Sequence, residues 1–151
     1  MSSTRLCRDQ HTELGRLMAE LRAATDATPA VEARPLAPLL EAFAGKLRAH
    51  LAHEDRVLYP RLIAHEHEQV RLTARIYQAE MGRLGESFEA FLARWSAPDS
   101  QKADPAGFRR ELAELLARLD LRIRREDRGL YALVERVESA VTNPDGGASQ
   151  E

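Results

Sequence analysis

The sequence predicts an all-α fold, an antiparallel up-down-up-down four-helix bundle, on three observations. Ala, Leu, Arg and Glu dominate, while β-branched residues are sparse and aromatic residues make up only 5% of the chain, a composition that favours helices over strands. Apolar residues recur at steps of three and four, the spacing of one helix face. Proline-containing breaks at residues 25–38 and 96–105, with a polar stretch at 65–68, divide the periodic segments into four. A chain of 151 residues, 44% hydrophobic, suffices for one such domain and is short for two.

The first helix starts near Ser2, Ser3 or Thr4 as its N-cap and sets Leu6, Cys7, His11, Leu14, Met18 and Leu21 on one stripe. Thr28-Pro29, Arg34-Pro35 and Ala37-Pro38 then interrupt the pattern, because the residue before a proline is pushed out of the α region. The second helix carries Leu40, Phe43, Leu47, His50, Glu54 and Leu58, and continues past Tyr59-Pro60, kinked there at most, to about Ala64. His65-Glu66-His67-Glu68 is polar on every side and reads as a turn or the start of the third helix, with both histidines exposed. That helix carries Val70, Ala74, Tyr77, Met81, Leu84, Phe88, Leu92 and Trp95. Pro98-Asp99-Ser100 and Asp104-Pro105 supply turn chemistry and a proline for the first turn of the fourth helix, whose stripe is Leu112, Leu115, Leu119, Arg122, Glu126, Leu130 and Val134. After Thr142 the run Asn143-Pro144-Asp145-Gly146-Gly147 is disordered in character, which makes residues 1–142 the domain and 143–151 a tail.

Charge narrows the function. With 22 Lys and Arg against 24 Asp and Glu, net −2, nothing marks a nucleic-acid or membrane surface. No export leader or bilayer-length apolar run is visible, so the expected compartment is the cytoplasm. The single Cys7 cannot form an internal disulfide and reads as an inert filler. No phosphate loop, paired thiols or nucleophile elbow supports hydrolase or nucleotide chemistry.

The informative residues are polar ones on apolar stripes. His11, His50, Glu54, Arg122 and Glu126 all fall where a bundle helix faces its neighbours. Ionised carboxylates there must be paired, hydrogen-bonded or bound to a cation. In antiparallel hairpins, residues equidistant from the turn lie side by side. Pairing about the 25–38 break brings His11 level with His50 and Glu54, and pairing about 65–68 and 96–105 both select Met81 on the third helix. The second and fourth helices also repeat each other at an offset of 72 residues: Leu47-x-x-His50-Leu51-x-x-Glu54-Asp55-Arg56-x-Leu58-Tyr59 against Leu119-x-x-Arg122-Ile123-x-x-Glu126-Asp127-Arg128-x-Leu130-Tyr131. The conspicuous mismatch is His50 against Arg122.

His11, the His50-x3-Glu54 pair followed by Leu58-Tyr59-Pro60, and the Arg122-x3-Glu126 echo resemble the hemerythrin HHE-type cation-binding family, over roughly residues 6–137. The resemblance implies a hemerythrin-like bundle with a non-haem iron site between its helices. Carried over residue by residue, the metal ligands are His11, His50, Glu54 and Glu126. Met81 and Arg122 stand where the family has two further histidines, and Arg cannot deprotonate to coordinate a metal. Arg122 is therefore expected to supply a cation of its own, forking between Glu54 and Glu126. The expected cofactor is iron, one or two ions, or none; the expected function is non-enzymatic binding or sensing of a metal or of oxygen or nitric oxide. The alternative is a metal-free bundle with a salt-bridged core, acting as a protein-interaction module. His53 lines the site or reaches solvent, Tyr59 and Tyr77 are packing residues near it with satisfied hydroxyls rather than redox partners, and Phe91 with Trp95 extend the core or mark a dimer face.

Overall fold

The computed structural model describes residues 3–26, 36–81 and 83–142, and among them every regular element is helical. A candidate N-cap at Ser2, most of the first proline-rich break and the tail at 143–151 lie outside the described residues. Four rods pack together. The first is α1 (Ser3–Asp26), already helical at Thr4, so the cap does not fall there. The second joins α2 (Leu36–His53), a π-helical turn (Glu54–Leu58) and α3 (Tyr59–Ile63). The third joins α4 (Glu68–Met81) to α5 (Leu84–Trp95), and α6 (Pro98–Ala103) follows it. The fourth runs through α7 (Pro105–Arg125), a second π-helical turn (Glu126–Tyr131) and α8 (Ala132–Thr142).

Cross-rod contacts fix the directions. His11 meets His50 and Glu13 meets Lys46; Arg48 pairs with Glu89, while Leu51 touches the Gly85 position. Glu80 pairs with Arg125 and Arg94 with Glu111, and Arg8 pairs with Glu135 as Arg22 does with Asp120. In each pair of rods the number rises on one side as it falls on the other, so successive rods are antiparallel, as are the first and the fourth.

Local chemistry explains most boundaries. Pro105 has no N–H to lose in the first turn of α7, and the Asp104 carboxylate accepts from the Gly107 N–H as an N-cap. Pro60 does not end the second rod. Instead the backbone widens just ahead of it, where the Tyr59 N–H donates to Glu54 O five residues back, the pattern of a π turn. The matching turn on the fourth rod holds Gly129, where a Cβ would collide with the Tyr77 hydroxyl.

The third rod is not the continuous helix the periodicity predicts, because α4 stops at Met81 and α5 starts at Leu84. The 96–105 break contains the short helix α6 as well as turns. Leu6 is a further correction: it is 51% exposed, outside the core stripe, where Cys7 is fully buried. Tyr77 is half-buried under the Arg125 guanidinium, and His65 is half-buried rather than exposed, accepting the His67 N–H. Phe91 and Trp95 pack on Phe108 inside the core.

The core has two apolar clusters. One gathers Leu14, Leu21, Phe43, Leu47, Phe88 and Leu112; the other gathers Cys7, Leu58, Leu62, Val70, Leu130 and Val134. The buried polar side chains of His11, His50, Glu54, Arg122 and Glu126 form the polar layer of the bundle. No described helix is long and apolar enough to cross a membrane.

Candidate metal centre

Three of the four rods supply this layer, each from a helix face that is otherwise apolar. His11 comes from α1, His50 and Glu54 from the second rod, Arg122 and Glu126 from the fourth. Both glutamates are fully buried, and the two histidines are 3% and 2% exposed. One ligand atom from each of His11, His50, Glu54 and Glu126 lies within 4.8 Å of all the others. The expected cluster therefore assembles with all four members.

The hydrogen bonds outside the cluster orient it. His11 Nδ1 lies 2.8 Å from Asp127 Oδ1 and His50 Nδ1 lies 2.7 Å from Gln10 Oε1. Both partners are acceptors, so each ring carries its proton on Nδ1 and turns Nε2 inward. The two Nε2 atoms are 3.1 Å apart; Glu54 Oε1 is 2.8 Å from that of His50 and 3.6 Å from that of His11. Metal-binding histidines characteristically have their outer nitrogen engaged in this way. Asp127 and Gln10 were not singled out in the sequence, although Asp127 directly follows Glu126 in the repeated motif.

Arg122 behaves partly as expected. Its Nη2 donates to Glu54 Oε2 at 2.5 Å and its Nη1 to the Met81 carbonyl at 3.0 Å. Its Nε is 3.4 Å from Glu126 Oε1, yet neither atom makes a hydrogen bond, so the fork closes on Glu54 alone. Met81 thus serves through its backbone, while its side chain fills space beside the layer. His53, half-buried, is outside the cluster.

Two tyrosines complete the set, and the 72-residue repeat relates them. Tyr59 donates to Glu126 Oε2 at 2.7 Å, and Tyr131 donates to Glu54 Oε1 at 2.9 Å. Each copy of the motif sends its tyrosine to the other copy's glutamate. Tyr59 is thus a buried packing residue with its hydroxyl satisfied, as expected, and Tyr131 could have been found from its place in the repeat. His11 stacks on the Tyr131 ring at 5.4 Å.

Without a metal, protons must balance this layer. Burial lowers the pKa of His11, but its hydrogen bonds to Asp127 and Glu54 outweigh that and raise it to about 9. Burial opposes ionisation of Glu54, yet His11, His50 and Arg122 hold it well below the usual carboxylate range. For Glu126, burial and the neighbouring Glu54 charge prevail over Arg122, and its pKa rises to about 8. Burial pushes the Cys7 thiol up to about 12, which keeps it protonated and unreactive.

The residues fit a cation on their own chemistry. Two imidazole Nε2 atoms and two carboxylate oxygens converge, and Glu126 Oε1 is buried with no donor. Such an orphan costs about 1–3 kcal/mol, and a metal ion within the cluster removes that cost. A mixed nitrogen and oxygen set suits iron or zinc better than calcium or magnesium.

A protein-family model described as the hemerythrin HHE cation binding domain matches residues 2–134. No curated protein and no solved structure matches the chain significantly.

Proposed function

Since the chain belongs to the hemerythrin HHE cation-binding family, we propose that His11, His50, Glu54 and Glu126 hold a single metal ion, iron, and that Arg122 stands in for a second. The observation that carries this reading is the convergence of four ligand atoms within 4.8 Å, backed by outer-nitrogen bonds that leave both Nε2 lone pairs facing inward. Arg122 brings one positive charge to Glu54 Oε2, the side of that carboxylate turned away from the histidines. A guanidinium cannot be displaced by deprotonation, so the site is a reduced form of a two-metal centre.

When bound, the ion supplies a Lewis-acidic centre with coordination positions beyond the four protein ligands. The residues around it do the rest. Asp127 and Gln10 hold the two rings in register. Tyr59 and Tyr131 donate to the carboxylate oxygens and limit how those groups turn. Apolar clusters pack in the bundle about the layer, and a dry site strengthens electrostatic interactions within it. A buried ion with open positions suits a small diatomic ligand, so the function is binding or sensing of oxygen or nitric oxide without turnover.

The short Arg122 to Glu54 contact favours a second reading, a metal-free bundle that works through its surface with another protein. Metal content separates the two. The full chain is reconstituted anaerobically with ferrous iron, freed of excess, and analysed for iron, zinc and manganese. One ion per chain is expected. Two ions would mean that Arg122 yields its place, and none would transfer the function to the surface.

A further inference from the structure

Next to the polar layer a cavity of about 170 Å³ opens to solvent between the junction of α4 with α5 and the side of α7. Its charged lining is one-sided, with Arg83, Arg118, Arg122 and Arg125 against Glu80, on a chain whose net charge is −2. Two of these charges are answered: Arg125 pairs with Glu80, and Arg122 with Glu54. Arg83 and Arg118 have no ion pair among the described residues. Arg118 and Arg122 stand four apart on α7, a spacing at which like charges disfavour the helix unless something negative lies near.

Arg122 adds an independent observation. It is 7% exposed and lines the cavity. A guanidinium has five N–H donors, and only two of its hydrogen bonds find acceptors, Glu54 Oε2 and the Met81 carbonyl. Its buried Nε faces Glu126 Oε1 at 3.4 Å without a hydrogen bond, which leaves one N–H on each Nη as the spare donors. Met81, whose carbonyl accepts from Arg122 Nη1, also lines the cavity. Leu84 and Leu121 complete an apolar wall.

We propose that this cavity binds a small organic carboxylate, its oxygens bridging Arg83 and Arg118 at the mouth and reaching the spare donors of Arg122, its short apolar body on Leu84 and Leu121. Guanidinium groups bind carboxylates through paired N–H donors. The volume is below the roughly 300–1,000 Å³ typical of larger ligands, which restricts the ligand to a few heavy atoms. The apolar wall favours a carboxylate with a short hydrocarbon chain over an inorganic oxyanion of the same charge. The site needs no metal and stands whether or not iron binds next door.

The test is an amide NMR titration of the full chain, metal-free in chelator at low ionic strength, with butyrate and separately with inorganic phosphate, at a mildly acidic pH where both are monoanions. Butyrate is expected to move the amides of Arg83, Leu84, Arg118 and Arg122 along one saturable curve. Arg118→Gln and Arg83→Gln, both at exposed positions, should each weaken it about tenfold, the loss of one charge-assisted contact, with unchanged Tm. Tighter binding of phosphate than of butyrate would overturn the carboxylate assignment. An absence of saturable shifts with either anion, or an affinity that neither substitution alters, would overturn the site itself.

Discussion

The second and fourth rods carry the same motif 72 residues apart, yet the two glutamates at its heart end in opposite electrostatic states. Glu54 collects His50, Arg122 and the Tyr131 hydroxyl and stays ionised. Glu126 receives the Tyr59 hydroxyl, keeps one oxygen without a donor, and rises to about 8. Both are buried, and what separates them is the conspicuous mismatch between the copies, His50 against Arg122. His50 is short and serves the glutamate one turn along its own rod, whereas Arg122 is long and reaches across to the other copy. One substitution in a near-symmetric site thus unbalances both halves. In the metal-free state protons on Glu126 and His11 stand where a metal's charge would be.

The largest expected effect follows from those protons. Glu126 titrates near its ordinary 4.5 when unfolded and about 8 when folded, and His11 near 6.5 and about 9. Over both intervals the folded chain binds more protons than the unfolded one, so stability falls as pH rises. The contribution is fully present below the unfolded values and lost through the folded ones. Chelator-treated protein should therefore lose Tm progressively from pH 4.5 to 9, most steeply between 6.5 and 8, where the two intervals overlap. Glu54, shifted downward, acts only at more acidic pH. Protein carrying iron should show a flatter profile, since the ion displaces both protons. A flat profile in the metal-free protein would break the comparison between the two glutamates.

Arg122→Ala attacks the mismatch directly. Removing one partner of a buried ion pair typically costs about 3–5 kcal/mol. Here about 3 kcal/mol is expected, because His50 and Tyr131 remain on Glu54 and share the load. Urea denaturation of the metal-free chain measures it. A loss under about 0.5 kcal/mol, the scale of an ordinary surface substitution, would mean that Glu54 does not depend on Arg122 for its charge.

The layer itself was legible because periodicity identifies which face a residue occupies, and polar residues on an apolar stripe stand out. His11, His50, Glu54, Arg122 and Glu126 all arrive where their spacing put them. Equidistance from turns also chose Met81 correctly, although its carbonyl rather than its side chain meets Arg122. Periodicity could not reveal the π turns at Glu54–Leu58 and Glu126–Tyr131. One inserted residue there shifts the phase locally and leaves the stripe on either side intact. Leu6 went astray for a related reason, since it neighbours Cys7 on the stripe's edge and a single step around the helix takes it into solvent. Asp127 and Gln10 lie off the stripe and reach their histidines only through the packing of one rod on another. Only the 72-residue repeat marked Tyr131.

Asp127 and Asp55 occupy the same place in the two copies and sharpen the comparison at its finest scale. Asp127 is 29% exposed, holds the His11 ring through Nδ1 and also lies near Arg8. Asp55 is exposed and meets no histidine among the described residues. If Asp127 positions His11, then Asp127→Ala releases the Nδ1 tautomer and lowers iron affinity about tenfold, the lower end of the range for lost outer-shell partners. The same change at Asp55 should leave affinity within about twofold, since an exposed side chain without a partner has little to lose. Competition with a chromogenic chelator reads both. The urea midpoint separates loss of a ligand's orientation from loss of the fold. Equal losses at the two positions would mean a general dependence on negative charge near the site, and the tautomer argument for His11 would fail.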